Sequence, residues 1–208
     1  MIPLHRYVEP SFFHNEIRVK GRLWLQSKGI ILNDIVPEGF KFKNFWTKCK
    51  SYLEKKYNHY CAYTCFYMHA TERSSVDHIK PKSCVGAYMA YEWKNYCLCC
   101  ERINTKKGDK LNIIDPFKVT NNLFYLILGT GYIYINPSYS NSSLVSLAKT
   151  TIDELDLNNE FWKKARREVY KDFGEARKAG ASLEYAEKRL KKENIFVWSE
   201  TKRQGKLM

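Results

Sequence analysis

The sequence predicts an α+β protein. Two mid-chain stretches break into short β-prone pieces separated by turn residues. The last seventy residues, and a segment ahead of the first β-prone stretch, carry apolar residues at helical spacing. With 208 residues, 44% of them hydrophobic and 15% aromatic, the chain has material for one substantial core. Its formal net charge of +13 favours a polyanionic partner, since neutralising phosphates releases counterions. Met1-Ile2-Pro3-Leu4-His5-Arg6 lacks the apolar stretch of a secretion leader. The longest apolar run, residues 123–135, is broken by Gly129 and Gly131 and is too short to span a bilayer. A cytoplasmic protein without membrane association is expected.

Taken in order, residues 15–26 suit a short helix, and Asn33-Asp34-Ile35-Val36-Pro37-Glu38-Gly39 a turn-rich link. Residues 42–57 predict a helix, with Phe45, Trp46, Cys49, Tyr52 and Leu53 on its core side and Lys48, Lys50, Lys55 and Lys56 in solvent. Residues 66–68 and 75–79 read as two short strands around the turn Ala70-Thr71-Glu72-Arg73-Ser74, with Pro81 ending the second. Residues 88–93 lead into Asn95, and residues 100–107 predict a helix stopped by Gly108. Residues 123–128 and 132–135 form a hairpin across Gly129-Thr130-Gly131. Helices follow over residues 142–154, 159–178 and 183–193, with Ser182 as a cap. The tail Ile195-Phe196-Val197-Trp198 is apolar enough to dock back or meet a partner.

One constellation carries chemistry. Asp77 and His78 lie in Val76-Asp77-His78-Ile79-Lys80-Pro81-Lys82-Ser83. Asn95 follows seventeen residues after His78, and Asn104 nine residues later, just before Thr105-Lys106-Lys107-Gly108. A carboxylate and an amide oxygen suit one hard cation such as Mg²⁺. A neutral imidazole on the opposite strand face can take a proton from an attacking water. Together these suffice for phosphodiester hydrolysis.

This layout resembles the HNH endonuclease family in its Asp-His/Asn/Asn variant, over about a quarter of the chain. The resemblance implies a ββα-metal core, a two-stranded hairpin and a helix around one Mg²⁺ or Mn²⁺. Asp77 and His78 would end the second strand, Asp77 as metal ligand and His78 as general base. Asn95 would brace the loop carrying the base, and Asn104 would be the second metal ligand. Lys80, Lys82, Lys106 and Lys107 would touch nucleic-acid backbone. Tyr63-Thr64-Cys65 and Asp115-Pro116-Phe117 are further similar to segments flanking the core in small bacterial HNH proteins of restriction and anti-phage systems, which often stand beside an ATPase. The activity implied is endonuclease or nickase action on DNA, leaving 5′-phosphate and 3′-hydroxyl ends. Two alternatives stay open: a module that binds nucleic acid without cutting it, and a partner-regulated toxin that cuts RNA.

Many HNH proteins hold a structural zinc between two Cys-x-x-Cys pairs. Here Thr64 and Ile103 stand where second ligands would be, so no structural zinc is expected; Cys61, Cys65, Cys97 and Cys100 are the displaced alternative. Seven cysteines without a secretion signal argue for reduced thiols. His69 is the next candidate for a base, and Asp115 reads as a turn residue before Pro116. The expected organisation is an N-terminal helical region at 1–57, the nuclease core with its following hairpin at 58–137 and a helical region at 138–208. Lys163, Lys164, Arg166, Arg167, Lys188, Arg189, Lys191 and Lys192 form a basic region expected to add phosphate affinity without reading sequence.

Overall fold

A computed structural model describes residues 1–207. The protein is α+β, with helices and two separate two-stranded antiparallel sheets. It divides into two compact units that do not follow the expected boundaries. One comprises His5–His59 and Met68–Leu111; the other comprises Met1–Leu4, Tyr60–Tyr67 and the chain from Asn112 onward.

The first unit holds β1 (Ser74–His78) and β2 (Tyr96–Cys100), paired so that Asp77 faces Cys97 and His78 faces Tyr96. Helix α3 (Glu101–Lys107) follows β2 without a gap. This corrects the expected pairing. Phe66 makes only an isolated bridge, to Asn194, and the partner of β1 is the Tyr-Cys-Leu-Cys-Cys run. Asp77 and His78 therefore end the first strand of a strand–strand–helix order, not the second. The run was hard to read because its residues are almost all buried, which removes the alternation that marks a half-exposed strand. Gly108 ends α3 at φ +51, where its N–H reaches the Asn104 carbonyl.

Around this core pack α1 (Lys20–Ser27), entered through a π-helical turn at His14–Val19, and α2 (Lys50–Lys56), entered through a 3₁₀ turn at Phe45–Cys49. Phe13, Ile17, Leu25, Cys49 and Leu53 are buried, as helical spacing requires. Gly21 lies against the Tyr91 ring so closely that a Cβ there would stand 2.2 Å from it.

The second unit contains the expected hairpin, β3 (Phe124–Ile127) and β4 (Tyr132–Ile135), then α4 (Ser142–Glu154), α5 (Glu160–Lys178), α6 (Leu183–Glu193) and α7 (Ile195–Arg203). Asn141, Asn159, Ser182 and Asn194 cap these helices by accepting backbone N–H groups. The apolar tail is helical, with Phe196 and Val197 buried. Arg166 departs from the expected basic surface: it is 1% exposed, and its guanidinium donates to the Gly131 and Leu157 carbonyls. Among the described residues no helix is long and apolar enough to cross a membrane.

Candidate functional site

The candidate site lies wholly in the first unit, where α3 covers one face of β1. Strand alternation sends Ser75 and Asp77 to that face and His78 to the other. On α3, Asn104 and Lys107 are three residues apart and share a face. Asn104 Nδ2 donates to Ser75 Oγ at 3.0 Å. That bond uses the amide nitrogen and leaves the oxygen, the atom a hard cation would use, outside it. The Lys107 ammonium donates to Asp77 Oδ1 at 2.9 Å and to the His78 carbonyl at 2.5 Å. The Cys97 thiol lies 3.5 Å from Asp77 Oδ2.

Both partners in this ion pair are interior, Asp77 at 2% and Lys107 at 1% exposure. Lys107 thus departs from the expected phosphate-contacting surface. Its spacing from Asn104 puts it on the helix face turned to β1, and its charge is satisfied there. Buried charges need partners and hydrogen bonds, and this pair has both.

His78 is 6% exposed and sits edge-on to Trp46, ring centroids 4.8 Å apart, and to Tyr96 at 5.1 Å. Its Nε2 lies 3.0 Å from the Ala90 carbonyl, which also accepts from the Tyr96 hydroxyl at 2.7 Å. A carbonyl only accepts, so Nε2 carries the hydrogen and Nδ1 carries the lone pair of the neutral ring. Burial pushes the imidazole pKa down to about 3, helped by the positive charges of Lys82 and Lys107 and opposed by the Ala90 bond. At neutral pH His78 is an uncharged base.

Asn95 clamps the loop between the strands. Its Oδ1 accepts from Lys80 N at 2.8 Å, while Nδ2 donates to the carbonyls of Lys80 and Met89, both at 3.0 Å. Its own carbonyl accepts from Ile79 N at 2.8 Å. The side chain is buried, so these bonds hold the chain just past His78 without competition from water.

The other expected lysines differ among themselves. Lys80 and Lys106 are exposed. Lys82 is half-buried, its ammonium 5.3 Å from the Trp46 ring centre and 5.9 Å from that of Phe42, and burial lowers its pKa. His69 is exposed. Asp115 belongs to the other unit and accepts from Phe117 N, the turn role expected of it. All seven cysteines are thiols. Sequence reasoning missed Ser75, Trp46 and the Ala90 carbonyl. Only Ser75 left a signal, being two residues before Asp77 and so on the same strand face.

A carboxylate and an amide oxygen are hard donors, and Mg²⁺ or Mn²⁺ suits them. The position beside Asp77 already accommodates a cation, because the Lys107 ammonium rests there against two oxygens. By their chemistry these donors suit one divalent ion, and the Lys107 ammonium now stands at the carboxylate such an ion would use. No protein-family model matches this sequence, and no curated protein matches it significantly.

Proposed function

We propose that this protein is an HNH-type endonuclease or nickase with a ββα-metal core that hydrolyses DNA phosphodiester bonds. The observation that carries the reading is the tautomer of His78. A buried, neutral imidazole with its hydrogen committed to a backbone carbonyl presents Nδ1 as a base. It is joined in sequence to a buried carboxylate and faces a chain segment fixed by Asn95. His78 Nδ1 takes a proton from a water whose oxygen attacks phosphorus; the bond to the 3′ oxygen breaks, that oxygen leaves as an alkoxide and takes a proton from solvent water, and His78 later returns its proton to solvent. Asp77 and the Asn104 amide oxygen would hold one Mg²⁺ or Mn²⁺. When bound, such an ion supplies charge stabilisation at the scissile phosphate and the leaving oxygen. Asn95 positions the base, and Lys80 and Lys106 are exposed where phosphates can reach them.

The Lys107–Asp77 pair favours a second reading, a module of the same fold that holds nucleic acid without cutting it. RNA as substrate, and a place in anti-phage defence beside a partner such as an ATPase, belong to the proposal only through resemblance.

Nicking of supercoiled plasmid separates the two readings. The first expects cleavage in Mg²⁺ or Mn²⁺, abolished by EDTA. It also expects a loss of about 10²–10⁴-fold in His78→Ala at unchanged DNA affinity. Full nicking by that variant under single-turnover conditions refutes the assigned base. Binding without nicking by the wild type supports the second reading.

A further inference from the structure

We propose that Lys107 is an internal cation that competes with the metal for Asp77, so that metal binding must expel the Lys107 side chain from the interior. The inference rests on the proposed metal site but concerns how that site is kept closed. Three observations carry it. The ammonium lies 2.9 Å from the one carboxylate among the expected ligands and 2.5 Å from the carbonyl of the next residue, so it occupies a pocket of oxygens. Both partners are almost wholly shielded from water, so there is little free face of Asp77 left for an ion. And Asn104, the other expected ligand, sits three residues earlier on the same helix, tied by its amide nitrogen to Ser75. An ion held by Asp77 would stand against the positive charge of Lys107. Like charges this close are unfavourable at the low effective dielectric of an interior, so ion and ammonium exclude one another.

The side chain has somewhere to go. Lys107 is the last residue of α3, with Gly108 at φ +51 and exposed Asp109 beyond it. Helix ends open at less cost than helix centres. Apparent metal affinity is then the intrinsic affinity multiplied by the fraction of molecules in which Lys107 is already out. For an out-state populated at about 0.1–10%, the usual range for a minor conformer, the closed pair weakens metal binding by about 10- to 1,000-fold.

Isothermal titration of metal-free protein with Mn²⁺ alone, without nucleic acid, tests this against Lys107→Met, which keeps the aliphatic stem and removes the charge. The expected result is tighter Mn²⁺ binding in the variant by at least tenfold. Equal or weaker binding in a folded variant overturns the proposal, because Lys107 would then not oppose the ion. Lys107→Met leaves Asp77 without its partner and can unfold in the absence of metal, so a second measurement uses the wild type. Acetylation of amines, read by peptide mass spectrometry, is expected to spare Lys107 in EDTA and to reach it as Mg²⁺ is added. Protection of Lys107 that persists at saturating Mg²⁺ overturns the proposal. If neither Mn²⁺ nor Mg²⁺ binds either protein, the metal site and the competition fall together. Binding with Lys107 still protected removes the competition alone.

Discussion

At the scale of single residues, burial decides what each polar group does. His78 is kept neutral by the apolar rings of Trp46 and Tyr96 around it, and its hydrogen is fixed on Nε2 by one carbonyl. Cys49 shows the same physics without a functional role. It has no exposure, and burial, helped by the charge of Glu9, pushes its thiol up to about 12. A folded chain that keeps a proton the unfolded chain has lost is destabilised as pH rises. The contribution is whole below the thiol's ordinary pKa of about 9 and fades as pH climbs from there to about 12. Tyr57, also raised by burial to about 12, adds to the alkaline side of this window. Urea midpoints measured from pH 8 to 11 should fall with pH, and more shallowly in Cys49→Ala. A Cys49→Ala profile parallel to the wild type would show that the thiol does not titrate on unfolding.

At the scale of elements, the site depends on the turn past β1 as much as on the strand. Asn95 satisfies both backbone groups of Lys80 and the carbonyl of Met89. Asn95→Ala strands these groups in a buried place, at about 1–3 kcal/mol each. The variant should melt well below the wild type, and single-turnover nicking should fall further than DNA affinity. A melting point unchanged within error would show that water replaces the clamp. Much of this level was legible in the sequence. The β3–β4 hairpin has its Gly-Thr-Gly turn, and α4, α5 and α6 begin at Asn or Ser caps that obey known rules. Asp77, His78, Asn95 and Asn104, singled out by their spacing, all fall in the first unit. What was not legible is pairing across distance. Nothing local says that Ser74–His78 seeks Tyr96–Cys100 instead of the nearer apolar Phe66, or that Lys107 turns inward while Lys106 stays outside. Both outcomes follow from which helix face meets the sheet, a tertiary fact.

At the scale of the whole molecule, the dominant quantity is charge. The chain carries 35 Lys and Arg against 22 Asp and Glu, so no arrangement of internal pairs can neutralise it. In the second unit, Lys164, Arg167, Lys188 and Arg189 are exposed, Lys164 beside Glu168, whereas Arg166 is interior and Lys163 is half-buried against Glu160. Replacing the four exposed residues with Glu should weaken DNA binding alike for unrelated sequences and flatten its dependence on salt. Including Arg166 in such a variant would confound the result, since it leaves a core site without its guanidinium. Unchanged affinity and salt slope would assign the surface to solvent or to an acidic protein.

The connection between β1 and β2 has a kinetic consequence. Seventeen residues, 79–95, separate the end of one strand from the start of the other. A tight turn would let the strands zip from one end; a span of this length must first be closed, at an entropic cost of about 2.5 kcal/mol beyond a constant. The ladder thus cannot nucleate by itself and waits for the excursion to condense around Asn95. His78, Asp77 and the helix behind them should therefore be assembled late and together, so that a partly folded chain carries no half-made site.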